Sequence, residues 1–275
     1  MLVVSAADSL SRAMTSIILV TGGTGTLGRH VVARLREAGR DVRVLTRRRR
    51  ADEDGIRFVT GDLVADRGIE PAVEGAEIIV HCAGSSKGDV EATGNLVRAA
   101  RASATPHLVN ISVVGAERVP IAGRIDRTLF GYFGMKRAAE RVVEESGLPW
   151  TILRATQFHD LILLVASKLA KLPAVPSPSG FRFQPVDTDE VAARMVGLAL
   201  GDPAGLAPEF GGPRVYDAAD LFREYLRATH RRRPIVPIRL PGGAARAIRG
   251  GVILTSETLG HRTWEEFLAD RIPER

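Results

Sequence analysis

Short apolar runs and amphipathic stretches alternate along most of this chain. IILVT, DVRVLT, IRFVT, EIIVHCAG, HLVNIS and WTILRA are brief, rich in branched residues and bounded by turn formers, which predicts buried strands. Helical segments lie between them. In LGRHVVARLREAG the apolar Val31, Val32, Leu35 and Ala38 recur at helical spacing, and Gly39 marks the stop. VDTDEVAARMVGLAL reads as a helix with acidic residues in its first turn, where the helix dipole favours them. Strand followed by helix, repeated, predicts a parallel sheet covered on both faces. Right-handed crossovers then make it a doubly wound parallel sheet of the α/β, Rossmann kind.

The regular alternation stops at LAKLPAVPSPSGFRF, where Pro173, Pro176 and Pro178 predict a loop. Beyond it come a Pro-bounded run, PIVPIRLP, and TWEEFLAD, which reads as a docking helix with Trp264 and Phe267 as its apolar contacts. The expected organisation is a flexible extension over residues 1–13, a doubly wound core over 14–156, and a smaller, irregular C-terminal substrate lobe over 157–275 with elements returning to the core. Ahead of the prolines, LILLVASKLAKL is open to three readings: a lid over an apolar pocket, part of a dimer face, or a membrane contact with Lys168 and Lys171 as snorkelling anchors.

The most constrained stretch is TGGTGTLG, directly after the first apolar run. Its glycines, Gly22, Gly25 and Gly28, have the spacing G-x-x-G-x-x-G. Glycine is required where the backbone takes positive φ or where a Cβ would obstruct a phosphate, and the last glycine lets helix and strand pack closely. The helix N-terminus that follows offers unpaired N–H groups to a pyrophosphate. Thr24 and Thr26 can add hydroxyl donors, so the expected phosphate-binding stretch is Gly22, Thr24, Gly25, Thr26, Leu27 and Gly28. Its place between a strand and a helix is the context a dinucleotide-binding motif needs. The end of the second strand then selects the nucleotide. VLTRRRR offers Arg47 and Arg48 where an acidic residue would bind a ribose 2′-hydroxyl, and arginine suits a 2′-phosphate. NADP is the expected cofactor, with NAD as the alternative; the competing reading of Arg47 is a solvated run capping a strand.

Charge and composition narrow the classes further. The formal charge is +6, and two short arginine runs stand out, Arg47 to Arg50 and Arg231 to Arg233. No recognition motif or aromatic-rich single-strand platform accompanies them, so nucleic acid is not an expected partner. Cys82 is the single cysteine, which leaves no internal disulfide framework and suits a reducing compartment; the expected location is cytoplasmic. No apolar run is long enough to cross a bilayer, and MLVVSAADSLSRA lacks the basic start and apolar core of a secretory signal. His81 beside Cys82 is not read as a metal pair, because adjacent strand positions point to opposite faces. His159 and Asp160 either face a substrate or form a satisfied pair at a helix start.

TGGTGTLG, the GDL at 61–63, HCAG at 81–84, NIS at 110–112, YFGMK at 132–136 and SGLPWTILRATQFHD together resemble the short-chain dehydrogenase/reductase superfamily. The likeness is to its atypical extended members, the NmrA-like and NAD(P)H-binding proteins, which are related to the nucleotide-binding subunit of respiratory complex I. It covers most of the chain from Met14 onward. The resemblance implies that Asp62 and Leu63 flank the adenine and that Ala83 and Gly84 let the fourth strand pass close to the cofactor. It also implies that Arg154 to Phe158 lie near the nicotinamide end. For Asp62 the bland reading is a turn start.

Tyr132 and Lys136 stand four residues apart, on one helix face. Hydride transfer to a carbonyl needs a proton delivered to the substrate oxygen, and a tyrosine with a reference pKa of about 10 needs help to act as a base at neutral pH. A nearby lysine ammonium favours phenolate and can hold ribose hydroxyls. The superfamily usually adds a hydroxyl after the fifth strand. Ser112 is the candidate here, while Val114 stands where extended members often carry it.

The expected activity is an NADP-dependent oxidoreductase acting on a carbonyl or alcohol of a small apolar substrate. Two alternatives stay open: a non-catalytic NADP-binding sensor or assembly factor, and an epimerase or dehydratase that retains its cofactor. Homo-oligomerisation is left open.

Overall fold

The computed structural model describes residues 17–53, 55–84, 88–103 and 105–272; the expected 1–13 extension lies outside them. In chain order the elements are β1 (Ile17–Thr21), α1 (Thr26–Glu37), β2 (Asp41–Thr46), β3 (Ile56–Thr60), α2 (Glu70–Val73), β4 (Ala76–His81), α3 (Asp89–Arg101), β5 (His107–Val113), α4 (Arg124–Glu144) and β6 (Trp150–Ala155). There follow α5 (His159–Leu169), β7 (Val175–Pro178), β8 (Arg182–Phe183), α6 (Thr188–Ala199), β9 (Gly205–Leu206), β10 (Tyr216–Asp217), α7 (Ala218–Ala228), β11 (Ile235–Ile238), α8 (Gly243–Arg249) and α9 (Trp264–Arg271).

The chain forms two compact units. One holds the chain up to Ile111 with Ala138–Ile152 and Ala192–Ala207; the other holds Ser112–Arg137, Leu153–Val191 and the chain from Pro208 on. The boundary falls inside β5, α4, β6 and α6.

The first unit is organised by a seven-stranded parallel sheet in the order β3-β2-β1-β4-β5-β6-β9. All six expected strands are present. The seventh, β9, pairs Gly205 and Leu206 with Thr151 and Ile152, and two residues are too short to leave a pattern. The strands read as continuous apolar runs because helices cover both faces. Leu19, Ile79, Leu96, Leu108, Val143 and Ile152 meet in one cluster. The α1 stripe is Leu27, Val31, Val32 and Leu35; Ala38, expected in it, is exposed because the helix has ended and Ala38 is its cap. Gly39 follows at φ +68°, the left-handed stop that its position predicts.

Two buried polar groups lock this unit. Arg43, in the middle of β2, donates Nη1 to the carbonyls of Ala72 (2.8 Å) and Glu74 (2.6 Å), satisfying the C-terminal end of α2. Burial lowers its pKa. Thr21 Oγ1 lies 2.6 Å from His81 Nδ1, and His81 Nε2 lies 3.3 Å from Thr93 Oγ1. The Thr93 hydroxyl donates to the Asp89 carbonyl, so the imidazole donates through Nε2 and accepts at Nδ1. His81 thus bolts the ends of β1 and β4 to α3.

The second unit has two apolar clusters. In one, Trp264 and Phe267 stack at 5.6 Å within the buried side of α9, joined by Ile162 and Ala166 of α5 and Leu221, Phe222 and Tyr225 of α7. Thr263 opens α9 with a capping box to Glu266, and Trp264 Nε1 donates to the Leu221 carbonyl. The docking reading of TWEEFLAD holds. In the other cluster Phe181, Val119 and Ile253 pack with Ala244, Ala245 and Ile248 of α8. Asp126 is buried and accepts the Ala244 amide, tethering α4 to the start of α8.

The proline-rich segment differs from expectation. It contains β7 and β8 rather than an unbroken loop, and β7 pairs in parallel with β11, which lies in PIVPIRLP. Proline presets an extended φ, and a two-stranded ribbon leaves edges where its missing N–H is harmless.

His159 sits at the start of α5, fully buried, its ring 4.9 Å from Phe267 and 5.8 Å from Trp264. Neither ring nitrogen has a hydrogen-bond partner, so the satisfied-pair reading fails for it, although Asp160 accepts from Thr188 at 2.8 Å. The backbone explains the placement: the His159 amide donates to Val186, which turns the side chain into the aromatic cluster. Burial pushes its pKa down to about 4, against opposing attraction from Asp187. A histidine with a depressed folded pKa contributes stability above its unfolded pKa, and loses it as pH falls from about 6.5 towards 4. Urea unfolding should therefore show stability falling across that window by an amount on the order of 3 kcal/mol. His159→Leu should flatten that part of the pH profile.

Candidate functional site

The β1-to-α1 turn is built from backbone packed against backbone. Gly22 adopts φ +68°, and a Cβ there would stand 2.6 Å from the Ala83 amide nitrogen. A Cβ on Gly28 would run into the Gly22 carbonyl, while Gly25 donates its amide to that same carbonyl at 2.9 Å. The first and last glycines of the motif are thus required by space, and the first also by conformation. Leu27 is buried and pins the first turn of α1; Thr24, Gly25 and Thr26 are exposed. No side chain caps α1 and no acidic residue lies in its first turn, so its positive end faces outward uncompensated. The cradle accommodates a pyrophosphate for these reasons: glycine where a phosphate must approach, open hydroxyls beside it, and a helix dipole of the right sign.

This cradle lies where the strand order reverses, between β1 and β4, the position at which open α/β sheets bind ligands. Arg47 and Arg48 emerge exposed from the end of β2, next to β1 in the sheet, and the Thr46 hydroxyl braces the Arg48 backbone. Asp62 follows β3. Its Oδ1 accepts the Val64 and Ala65 amides at 2.9 and 3.1 Å, so the turn-start reading is present, whatever else that side chain does. Leu63 is buried and its carbonyl accepts Asn95 Nδ2 at 2.8 Å. Ala83, partly buried, and Gly84, exposed, follow β4. The sheet therefore brings Gly22 to Gly28, Arg47, Asp62, Leu63, Ala83 and Gly84 to one edge. Asn95, a brace for the Leu63 loop, left no local signal in the sequence.

The second unit holds the other expected residues. Lys136 is 6% exposed and its ammonium lies 5.9 Å from the centre of the Tyr132 ring, while Tyr132 is 42% exposed. Helical spacing produces this pairing, as expected. Ser112 is 2% exposed with no hydrogen-bond partner for its Oγ. Val114, two residues on, is buried and donates its amide to Ala155.

Two carboxylates, Glu117 and Glu140, add to the expected residues. Arg154, buried, grips Glu117 with two bonds of 2.7 and 3.0 Å, and that grip holds the Glu117 carboxyl below the usual carboxylate range. The partners are too far apart in sequence for any local pattern to show them. Glu140, buried, continues the Tyr132–Lys136 four-residue step along α4, a periodicity that could have flagged it. His81 is occupied by Thr21 and Thr93, and no cluster of His, Cys, Asp or Glu suited to a metal occurs among the described residues.

Similarity to known proteins agrees with the cradle. The chain is 24% identical over 275 residues to the photosystem II assembly factor Ycf39 of Trieres chinensis, covering 93% of this chain and 79% of that protein. It is 29% identical over 221 residues to the (4-alkanoyl-5-oxo-2,5-dihydrofuran-3-yl)methyl phosphate reductase of Streptomyces griseus, covering 78% and 74%. Its fold matches the crystal structure of an NADPH-dependent quinone oxidoreductase from Escherichia coli complexed with NADPH. The TM-score is 0.73 at 18% identity, over 92% of this chain and 99% of that one. The family model described as NAD(P)H-binding matches residues 22–196, from the first glycine of the cradle into α6. With the glycine cradle, the strand order and this match in agreement, the chain belongs to the NAD(P)H-binding family.

Proposed function

We propose that this protein is an NADP-dependent oxidoreductase acting on the carbonyl or alcohol of a small apolar substrate. The observation that carries the reading is the pairing on α4: an exposed phenol, Tyr132, beside a buried ammonium, Lys136. The lysine ammonium lies 5.9 Å from the centre of the tyrosine ring, so a positive charge accompanies the phenol on the same helix face. When bound, the nicotinamide cofactor supplies or accepts hydride. Tyr132 donates a proton to the substrate oxygen or withdraws one from it, and Lys136 sustains the phenol's acidity and holds ribose hydroxyls. Ser112, with its hydroxyl unmatched in a buried site, has the capacity to hold the substrate oxygen.

Gly22, Thr24, Gly25, Thr26, Leu27 and Gly28 hold the pyrophosphate, with Asp62, Leu63, Ala83 and Gly84 along the rest of the nucleotide. Arg47 selects the 2′-phosphate, a reading supported by its exposure at the end of β2 and by the absence of an acidic residue there. The named reductase among the relatives supports the oxidoreductase class. A second reading, a non-catalytic NADP-binding factor, is favoured by Val114 in place of a hydroxyl and by the assembly factor among the relatives. Net NADPH consumption separates the reductase from an epimerase or dehydratase that recycles its cofactor, and turnover that depends on Tyr132 separates either enzyme from the non-catalytic factor.

Calorimetry should show NADPH binding more tightly than NADH. Arg47→Ala should weaken NADPH roughly tenfold to a hundredfold, the loss expected for one charge-assisted phosphate contact, and leave NADH nearly unchanged. Gly28→Ala should abolish binding of both nucleotides, because its Cβ collides with the Gly22 carbonyl. In a screen of quinones, aldehydes and ketones, Tyr132→Phe should lower kcat by roughly a hundredfold or more while leaving NADPH affinity within about twofold. Retention of turnover in that variant would remove Tyr132 from the chemistry. NADPH binding without any turnover would favour the non-catalytic factor.

A further inference from the structure

The second arginine run has no part in the cofactor site, and its surroundings give it a different use. Arg231, Arg232 and Arg233 follow α7, all exposed and without a carboxylate partner among the described residues. Arg223 and Arg227 of α7, by contrast, are neutralised by Asp220 and Glu224 three residues earlier. The run lines an open depression of about 690 Å³ together with Leu226, Pro234 and Ile235. Arg231 Nη1 reaches the Ala170 carbonyl at the end of α5, at 3.4 Å, and Val175 donates to the Pro234 carbonyl, so the run is fastened to the C-terminal end of α5.

The outer side of α5 is apolar. Ile162 and Ala166 face the core, leaving Leu161 (51% exposed), Leu164 (49%), Val165 and, just past the helix, Leu172 in the open. Their spacing puts them in one stripe with Lys168, and Lys171 adds a second cation. A stripe of leucines ending in lysines beside three unneutralised arginines pairs apolar insertion with positive charge, the two components of attachment to an anionic interface. A soluble polyanion would use the arginines and leave the leucines idle; an apolar protein partner would leave the cations idle. No helix among the described residues is long and apolar enough to cross a membrane, so the geometry suits lying on a surface.

We propose that α5 and the 231–233 run form a peripheral docking face for an anionic lipid surface. The arginine-lined depression receives phosphate headgroups, and Leu161 and Leu164 enter the acyl boundary. This inference is independent of the cofactor reading.

The test is flotation of the full chain with vesicles of phosphatidylcholine alone, or with a minority of phosphatidylglycerol. The protein should float only with the anionic vesicles, less so as salt rises. Arg232→Gln with Arg233→Gln should weaken partitioning by about tenfold or more. Leu161→Gln with Leu164→Gln should weaken it comparably and remove what binding persists at high ionic strength. All four positions are exposed, and circular dichroism melts check that each variant folds; should the arginine pair fail to fold, the leucine pair and the salt titration carry the test. No flotation of the wild-type chain, equal flotation on neutral vesicles, or undiminished binding by a folded double variant would each overturn the proposal. Undiminished binding by the leucine variant would show attachment by charge alone, without apolar insertion, and so overturn the docking face.

Discussion

The first unit depends on a place where the backbone must approach itself without side chains. Gly22 turns out of β1 with positive φ against the Ala83 backbone, and Gly28 brings α1 down on the Gly22 carbonyl. Only there can the helix start close enough to the strand ends for its amides to meet a phosphate. The same turn sets where α1 crosses the sheet, and hence how Val31, Val32 and Leu35 reach the core. Binding and folding share one constraint, since the space denied to a Cβ is the space that a ligand or a neighbouring strand needs.

Buried polar groups hold the surrounding frame by a different principle. Each has a high desolvation cost and is retained where a directional bond ties elements that hydrophobic packing alone would leave free to slide. His81 joins two strand ends to α3, Arg43 closes the carboxyl end of a short helix, and Asp126 fastens α4 to α8. Arg154 belongs to this class by burial, but its partner Glu117 remains half in solvent, so the pair presents a fixed carboxylate outward. Ser112 and His159 are exceptions, buried with unmet bonding capacity. Ser112 lies on β5, and His159 is held neutral by burial among aromatic rings.

The arginines divide by environment rather than by number. Arg43 is swallowed by the sheet, Arg47 and Arg48 stand exposed at the end of β2, and Arg231 to Arg233 are set beside an apolar helix face. Net charge alone would have pointed to a single polyanionic partner. Position separates an arginine that braces the sheet from those exposed at the end of β2 and those beside α5.

Local pattern determined a great deal here. Branched apolar runs in the first two-thirds of the chain specify strands whatever their neighbours, because burial on both faces needs no distant partner to be legible. Glycine spacing after β1, the arginines after β2 and the four-residue step from Tyr132 to Lys136 are likewise local, since φ, sheet edge and helix face follow from short-range geometry. Only tertiary structure decided the rest. β9 exists because Thr151 and Ile152 offer it an edge, and the prolines of β7 become a strand because β11 comes back to pair with them. Arg154 finds Glu117, and His159 loses its hydrogen bonds, through contacts between residues far apart in sequence. Such pairings cost loop-closure entropy that no short pattern encodes, so they emerge only when the whole chain is folded.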